Sequence, residues 1–418
     1  MLALAAFALV ASCASASASN VFSGLPSVPA EGRYGPAAAT LPDGNVLIAG
    51  GDPEGLPVAL LTAEEFNPRT GRFERLEGHD MVEGRAEFEA VTLHSGDVLL
   101  VGGSRSGSPL STAELFDPKT DTFEVLKSHL TQERDAPAVA ELADGMVLIA
   151  DGCQSGKCSK TAELFDPATQ TFSKLATSPL EERYAPAAAT LRDGNVLIAG
   201  GYPNSGEAVK STELFNAKTG TFETLGSSHE LLLARGEDSA VTLQDGNVLV
   251  VGGAELGKAF STNELFDAQT SAFTAASTEL VTQREASAVA LLHDGQVLVA
   301  DGCHQVGCSA SAEIMSVNRP SRATTARATR RAAHHARINA LVEAETNSTV
   351  YFQYGTSRRY RHRTRVQAIA GSTAPVAVSA LLTRLTPGKR YHYRVVIENS
   401  AGKLVGADRS FVAPRRRR

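Results

Sequence analysis

One arginine returns at the same place six times, as Arg33, Arg85, Arg134, Arg183, Arg235 and Arg284. A glutamate follows each at a nearly constant distance: Glu64, Glu114, Glu163, Glu213, Glu264 and Glu313. Six equivalent guanidinium groups can do one of two things. They can ring one mouth of a channel and grip an anion or acidic glycan through bidentate hydrogen bonds. They can instead pair with the glutamates as a ladder between neighbouring repeats. Recurrence in every repeat favours the ladder, because a ligand site normally breaks symmetry. Tyr34, Tyr184 and Tyr202, the only tyrosines before residue 318, are either stacking groups for a sugar or structural anchors.

Two Cys-x4-Cys pairs, Cys153/Cys158 and Cys303/Cys308, occupy equivalent loops. In an exported chain this spacing reads as two local disulfides, each worth about 2 kcal/mol by loop closure. A four-thiolate metal site is the rival reading. It is disfavoured because the pairs lie three repeats apart and neither is Cys-x2-Cys. The histidines before residue 318 (His79, His94, His129, His229, His293, His304) show no ligand-like spacing. No Gly-x-Ser-x-Gly, His-Glu-x-x-His or P-loop occurs. No catalytic residue, metal or cofactor is therefore assigned.

The elements that position these residues follow from repetition. Residues 19–317 are two copies of one 150-residue text, each made of three units carrying Asp-Gly-x-Val-Leu-x-x-Gly-Gly. In 183–225, Ala187 to Leu191 is a short apolar strand and Asp193-Gly194 a tight turn. Asn195 to Ala199, Thr212 to Phe215 and Thr221 to Leu225 are three more strands. Four antiparallel strands per 50 residues predict one propeller blade, and six units predict six. The sixth unit stops after its third strand. Asn20 to Leu25 aligns with Gln170 to Leu175, so the N-terminus is expected to supply the missing strand and close the ring.

These residues resemble the Kelch repeat over 20–317. The family pattern is an Arg before the first strand, a double Gly after the second, Glu-aromatic-Asp-Pro on the third, and a Trp opening the fourth. Here Phe66, Phe116, Phe165, Phe215 and Phe266 take the first aromatic place. Phe73, Phe123, Phe172, Phe222 and Phe273 take the Trp place, and the chain has no Trp. The resemblance implies variable loops after the double Gly as the recognition surface: Asp52 to Ala59, Ser104 to Leu110, Tyr202 to Val209 and Ala254 to Phe260. Galactose-oxidase-like copper enzymes share such propellers. Their site needs a Tyr joined to a Cys, a second Tyr and two His, a set this chain does not present.

Beyond a basic stretch at 318–337, read as linker or first strand, strands are expected at Ile338 to Val342, Val350 to Gly355, Val376 to Val378 and Tyr391 to Val396. Leu385-Thr386-Pro387-Gly388-Lys389-Arg390-Tyr391 resembles the Leu-x-Pro-Gly-x-x-Tyr of fibronectin type III domains, implying a β-sandwich over 338–413 and a tyrosine hydroxyl tied to upstream backbone. His334-His335 is read as solvated, and Asn347-Ser348-Thr349 as a glycosylation sequon.

Charge divides the chain as the repeats do. Residues 1–317 carry 19 Lys+Arg against 42 Asp+Glu, a net −23; residues 318–418 carry 21 against 4, a net +17. Residues 1–19 read as a secretory leader with small residues before cleavage. Cys13 within Val10-Ala11-Ser12-Cys13 is a lipidation candidate, and 414–418 is a basic tail. The whole predicts an all-β, monomeric, exported or surface-bound protein without enzymatic activity. Its propeller loops bind a protein or carbohydrate, and its basic C-terminal region suits an anionic cell-wall or membrane surface rather than a specific nucleic acid. A propeller-based extracellular enzyme and a purely structural surface protein are the alternatives.

Overall fold

The structure, a computed structural model, describes residues 21–53, 58–304, 307–316, 322–329, 331–344, 348–370, 372–399 and 402–415. The leader with Cys13, residues 54–57 of the first variable loop, Asn347 of the sequon and the end of the basic tail lie outside them. The chain is all-β and divides into two units, Asn20–Val317 and Asn318–Arg418.

In the first unit each Asp-Gly or Ser-Gly turn places its glycine at φ between 87° and 96°, a conformation a side chain would strain. The strand that follows reads as four consecutive apolar residues: Val46–Ala49, Val98–Val101, Val147–Ala150, Val196–Ala199, Val248–Val251 and Val297–Ala300. All four positions of each are buried. An antiparallel strand with no polar alternation must be covered on both faces, and neighbouring sheets cover these. Val46 and Ile48 pack with the last sheet, while Leu47 and Ala49 pack with the second.

Six four-stranded antiparallel sheets result. Their first strands are Ala37–Thr40, Glu89–Thr92, Ala138–Glu141, Ala187–Thr190, Ser239–Thr242 and Ala288–Leu291. These are neighbours in that order, and the last returns to the first. Six apolar clusters fill the six gaps. A second cycle runs through the backbone just before the first strands. The amides of Gly35, Glu87, Ala136, Ala185, Glu237 and Ala286 each donate to the carbonyl of the preceding member, Gly35 to Ala286, over 2.8–3.1 Å. All six residues have φ between 48° and 60°. The arrangement is propeller-like.

The sixth sheet takes its outer strand from the other end of the chain. Val21–Gly24 pairs with Ala312–Ser316, with Phe22 opposite Met315. That pair fills the place held in the other five sheets by two phenylalanines whose ring centres lie 4.7–5.0 Å apart.

The second unit holds a three-stranded sheet (Arg322–Thr329, Ala336–Ala344, Ser372–Leu382) and a larger sheet built on Ser348–Gly355 and Arg390–Asn399. Ile338, Val350, Phe352, Tyr393 and Phe411 share one core. The strands are longer than expected, because chain flanking the most apolar residues continues the pairing. Arg322–Thr329, inside the stretch read as linker or first strand, is a strand paired with Ala336–Ala344. Arg322 and Arg327 are exposed while Ala323, Thr325 and Ala328 turn inward, and the alternation slips by one at Ala326, beside the shift in pairing register. Tyr391 Oη accepts the Thr386 amide at 2.9 Å, the corner bond expected from its motif.

Candidate functional site

The six arginines are interior. Each is at most 1% exposed. One guanidinium nitrogen donates to two backbone carbonyls of the same sheet; for Arg85 these are Gly102 at 2.9 Å and Thr112 at 3.1 Å. The other terminal nitrogen reaches the glutamate of that sheet's third strand, at 2.7–3.4 Å across the series. The glutamate in turn accepts backbone amides from the loop entering the sheet: Glu114 those of Val82 and Glu83, Glu264 those of Leu232 and Leu233. This corrects both sequence expectations. No guanidinium offers a face to an anion. The pairs clasp each incoming loop to its own sheet rather than joining neighbouring sheets.

The double glycines sit where the next arginine's backbone comes close. A Cβ on Gly50 would lie 2.4 Å from the Arg85 carbonyl oxygen. In the third and sixth sheets Asp151 and Asp301 replace the first glycine. They adopt φ of 59° and 58°, are fully buried, and have carboxylate oxygens without hydrogen-bond partners among the described residues. Burial pushes both carboxyls well up.

After each glycine pair the chain bridges back beside the arginine, in the first sheet by pairing Asp52-Pro53 with Arg33-Tyr34 and in the fourth by the single bridge of Tyr202 with Tyr184; in the other four it also forms a two-stranded element. These four elements are tight hairpins over Ser104–Pro109, Cys153–Cys158, Ala254–Ala259 and Cys303–Cys308. Both cysteine pairs are disulfide-bonded, as expected. The tips differ in chemistry: Arg105, Gln154 and Lys157, and Leu256, which is 78% exposed.

The tyrosines lie beside the backbone cycle at this end. Tyr184 Oη donates to Glu87, and Tyr34 hydrogen-bonds Glu237. Tyr202 Oη donates to the Ala254 carbonyl at 2.8 Å. All three rings are half-buried, and burial together with Glu87 and Glu237 raises their hydroxyl pKa values. They are anchors of an acidic mouth rather than free stacking platforms. The sequence reading missed the acids: Glu87, Glu237, Asp135 and, deeper, Glu89 and Asp238. The available signal was departure from the repeat. Pro36-Ala37, Pro137-Ala138 and Pro186-Ala187 become Phe88-Glu89 and Asp238-Ser239.

Burial pushes Glu237 up to about 8, helped by Glu285 and Glu87, and pushes Asp238 up to about 8 against the pull of Arg235. Unfolded, such groups titrate near 4. Between these limits the folded state binds more protons than the unfolded one, so stability falls as pH rises from about 4 to about 8. One such group changes stability by at most about 2.7 kcal/mol over two pH units. We expect the larger unit to be less stable at pH 8 than at pH 6 by on the order of 3 kcal/mol. Calorimetry at both values reads this directly, and Asp238→Asn should flatten the dependence. A midpoint independent of pH would contradict it.

Among the described residues no group of three or more His, Cys, Asp or Glu is placed to hold a metal ion. In the second unit His334 and His335 are exposed, and His334 Nδ1 lies 3.0 Å from the Leu385 carbonyl.

The Kelch motif is matched over residues 90–129, the four strands of the second sheet. Kelch repeats generally mediate protein–protein interaction. No curated protein matches the chain.

Proposed function

We propose that residues 20–317 form a six-bladed Kelch propeller that serves an exported, non-catalytic protein as a rigid platform for binding another protein. The observation that carries this reading is the hairpin face. Equivalent hairpins, two of them locked by disulfides, present unlike exposed tips around one channel mouth, while every repeated charge is engaged inside the sheets. Rigid supports with differing tips suit recognition with little ordering cost. The second unit, read as a fibronectin III-like sandwich, spaces or anchors the propeller through its net +17.

The test is affinity capture with the full chain from the extracellular fraction of its own source, with a glycan array in parallel. Reversing the tip charges together (Arg105→Glu, Lys157→Glu, Lys258→Glu) should abolish capture, and Glu124→Lys on an outer strand should not. Capture indifferent to the tips, or strong glycan binding with no protein captured, would overturn the protein-partner reading.

A further inference from the structure

The second unit carries a set of oriented cations on the outward face of its larger sheet. Arg394 lies between Tyr393 and Val395, which point into the core. Strand alternation therefore puts Arg394 and His392 on the opposite face. Gln353 stands beside Arg394 in the neighbouring strand, and its Oε1 accepts Arg394 Nε at 2.8 Å. On its other side Gln353 faces Arg363, so a third guanidinium shares that face. The Arg394 guanidinium carbon lies 4.4 Å from the centre of the Tyr360 ring. Asp408 then fixes the neighbours. Its carboxylate accepts Tyr360 Oη at 2.7 Å and Arg358 Nε at 3.2 Å, and lies 2.9 Å from His392 Nδ1. Tyr360 holds its ring there at φ 43°, a conformation bulky residues rarely adopt and one that marks binding sites.

Both guanidiniums are tied through Nε. The terminal nitrogens of Arg358 and Arg394 have no hydrogen-bond partner among the described residues. An arginine serving only an ion pair would spend those nitrogens on the carboxylate; here they are left as two forks. The surroundings keep the site positive. No Asp or Glu occurs between Val350 and Ile397, and Arg359, Arg361, Arg363 and Arg365 of the same hairpin are exposed.

We propose that Arg358 and Arg394 bind the phosphate monoester of a phosphorylated sugar. The inference rests on the reading of the second unit as an anchor and names what it grips. A guanidinium fork fits carboxylate and phosphate alike. One fork fills the two oxygens of a carboxylate, whereas a phosphate monoester has a further strong acceptor for the second fork. A nucleic acid would need an open aromatic face for its bases. The Tyr360 ring is covered by Arg394, and Tyr351 is 8% exposed with Lys403 over it. A lipid carrier would need apolar side chains to enter the bilayer. The hairpin from Thr356 to Arg365 has no aliphatic residue, and its Thr356, Ser357 and His362 are exposed, which suits a hydroxylated carrier.

The experiment titrates the full chain calorimetrically with glucose 6-phosphate, inorganic phosphate and glucuronate, and tests flotation with phosphatidic acid vesicles. The expected result is one site per chain for glucose 6-phosphate, tighter than for inorganic phosphate, with glucuronate about tenfold weaker. Arg358→Lys with Arg394→Lys keeps the charge and removes the forks; it should weaken glucose 6-phosphate about tenfold. Gln353→Leu, which frees Arg394 Nε and leaves both arginines, should weaken it about threefold, so the inference does not depend on one variant folding. Arg327→Lys, on the smaller sheet, should bind normally. Absence of glucose 6-phosphate binding, equal binding of glucuronate, tighter binding of inorganic phosphate, or equal binding by the lysine variant would overturn the site. Vesicles floated alike by wild type and the lysine variant, with no sugar phosphate bound, would leave the second unit an anchor by bulk charge alone. Loss of both would remove the anchor reading as well.

Discussion

A chain lacking Val21–Gly24 should melt at least 10 °C below the intact protein. That segment supplies the outer strand of the sixth sheet, and its removal bares the edge of Ala312–Ser316. It also takes away Phe22, 3% exposed, from a cluster holding Leu249, Val251, Val297 and Met315. Phe22→Ala alone should cost about 3–5 kcal/mol, the usual loss for a buried phenylalanine. In a unit of this size that corresponds to roughly 5–8 °C. Val21, 55% exposed in the same strand, is the internal control: Val21→Ser should shift the midpoint little. Scanning calorimetry decides the matter. Closure by the N-terminal strand would be structurally idle if deletion moved the midpoint by less than about 2 °C.

The second large effect concerns the clasps. Glu114→Ala should destabilise the first unit by about 3–5 kcal/mol, because Arg85 would lose its fully buried counter-ion and keep only Glu83, 3.6 Å away and partly exposed. A buried ion pair replaced as a pair by apolar residues is often neutral. Here that rescue should fail. Arg85 also satisfies the carbonyls of Gly102 and Thr112, and Glu114 the amides of Val82 and Glu83. Each backbone group left unsatisfied costs about 1–3 kcal/mol. Arg85→Met with Glu114→Leu should therefore remain at least about 2 kcal/mol below wild type. Glu181, which meets Arg183 from a side chain 46% exposed, should lose under about 1 kcal/mol on change to alanine. Denaturant unfolding gives all three numbers. Full recovery in the double variant would reduce the clasp to a simple ion pair.

Both effects rest on features of different legibility. The closing strand was readable because Asn20 to Leu25 repeats Gln170 to Leu175 at the 150-residue offset, so the register of Phe22 with Met315 follows from that of Phe172 with Phe165. The arginines and glutamates were equally visible, but their separation of 29–31 residues is compatible with pairing inside a sheet or across to the next. Only the path of the incoming loop decides, and a linear text does not carry it. The acidic channel was hidden for the opposite reason. Glu87, Glu89, Glu237 and Asp238 are exceptions to the repeat, and attention to what recurs passes over them. In the second unit the charge of 318–337 left linker and strand both open: Arg322–Thr329 is a strand whose alternation slips where its pairing register shifts.

The latch between the chain's two ends also has a direction. Val21 faces Ser316 and Gly24 faces Glu313, so the chain enters and leaves at the same end of the pair. Tension between the preceding and following segments would load these contacts one after another, peeling them, instead of shearing all of them at once. Pulled in this way, the ring should open at its seam at low force, before any sheet interior yields.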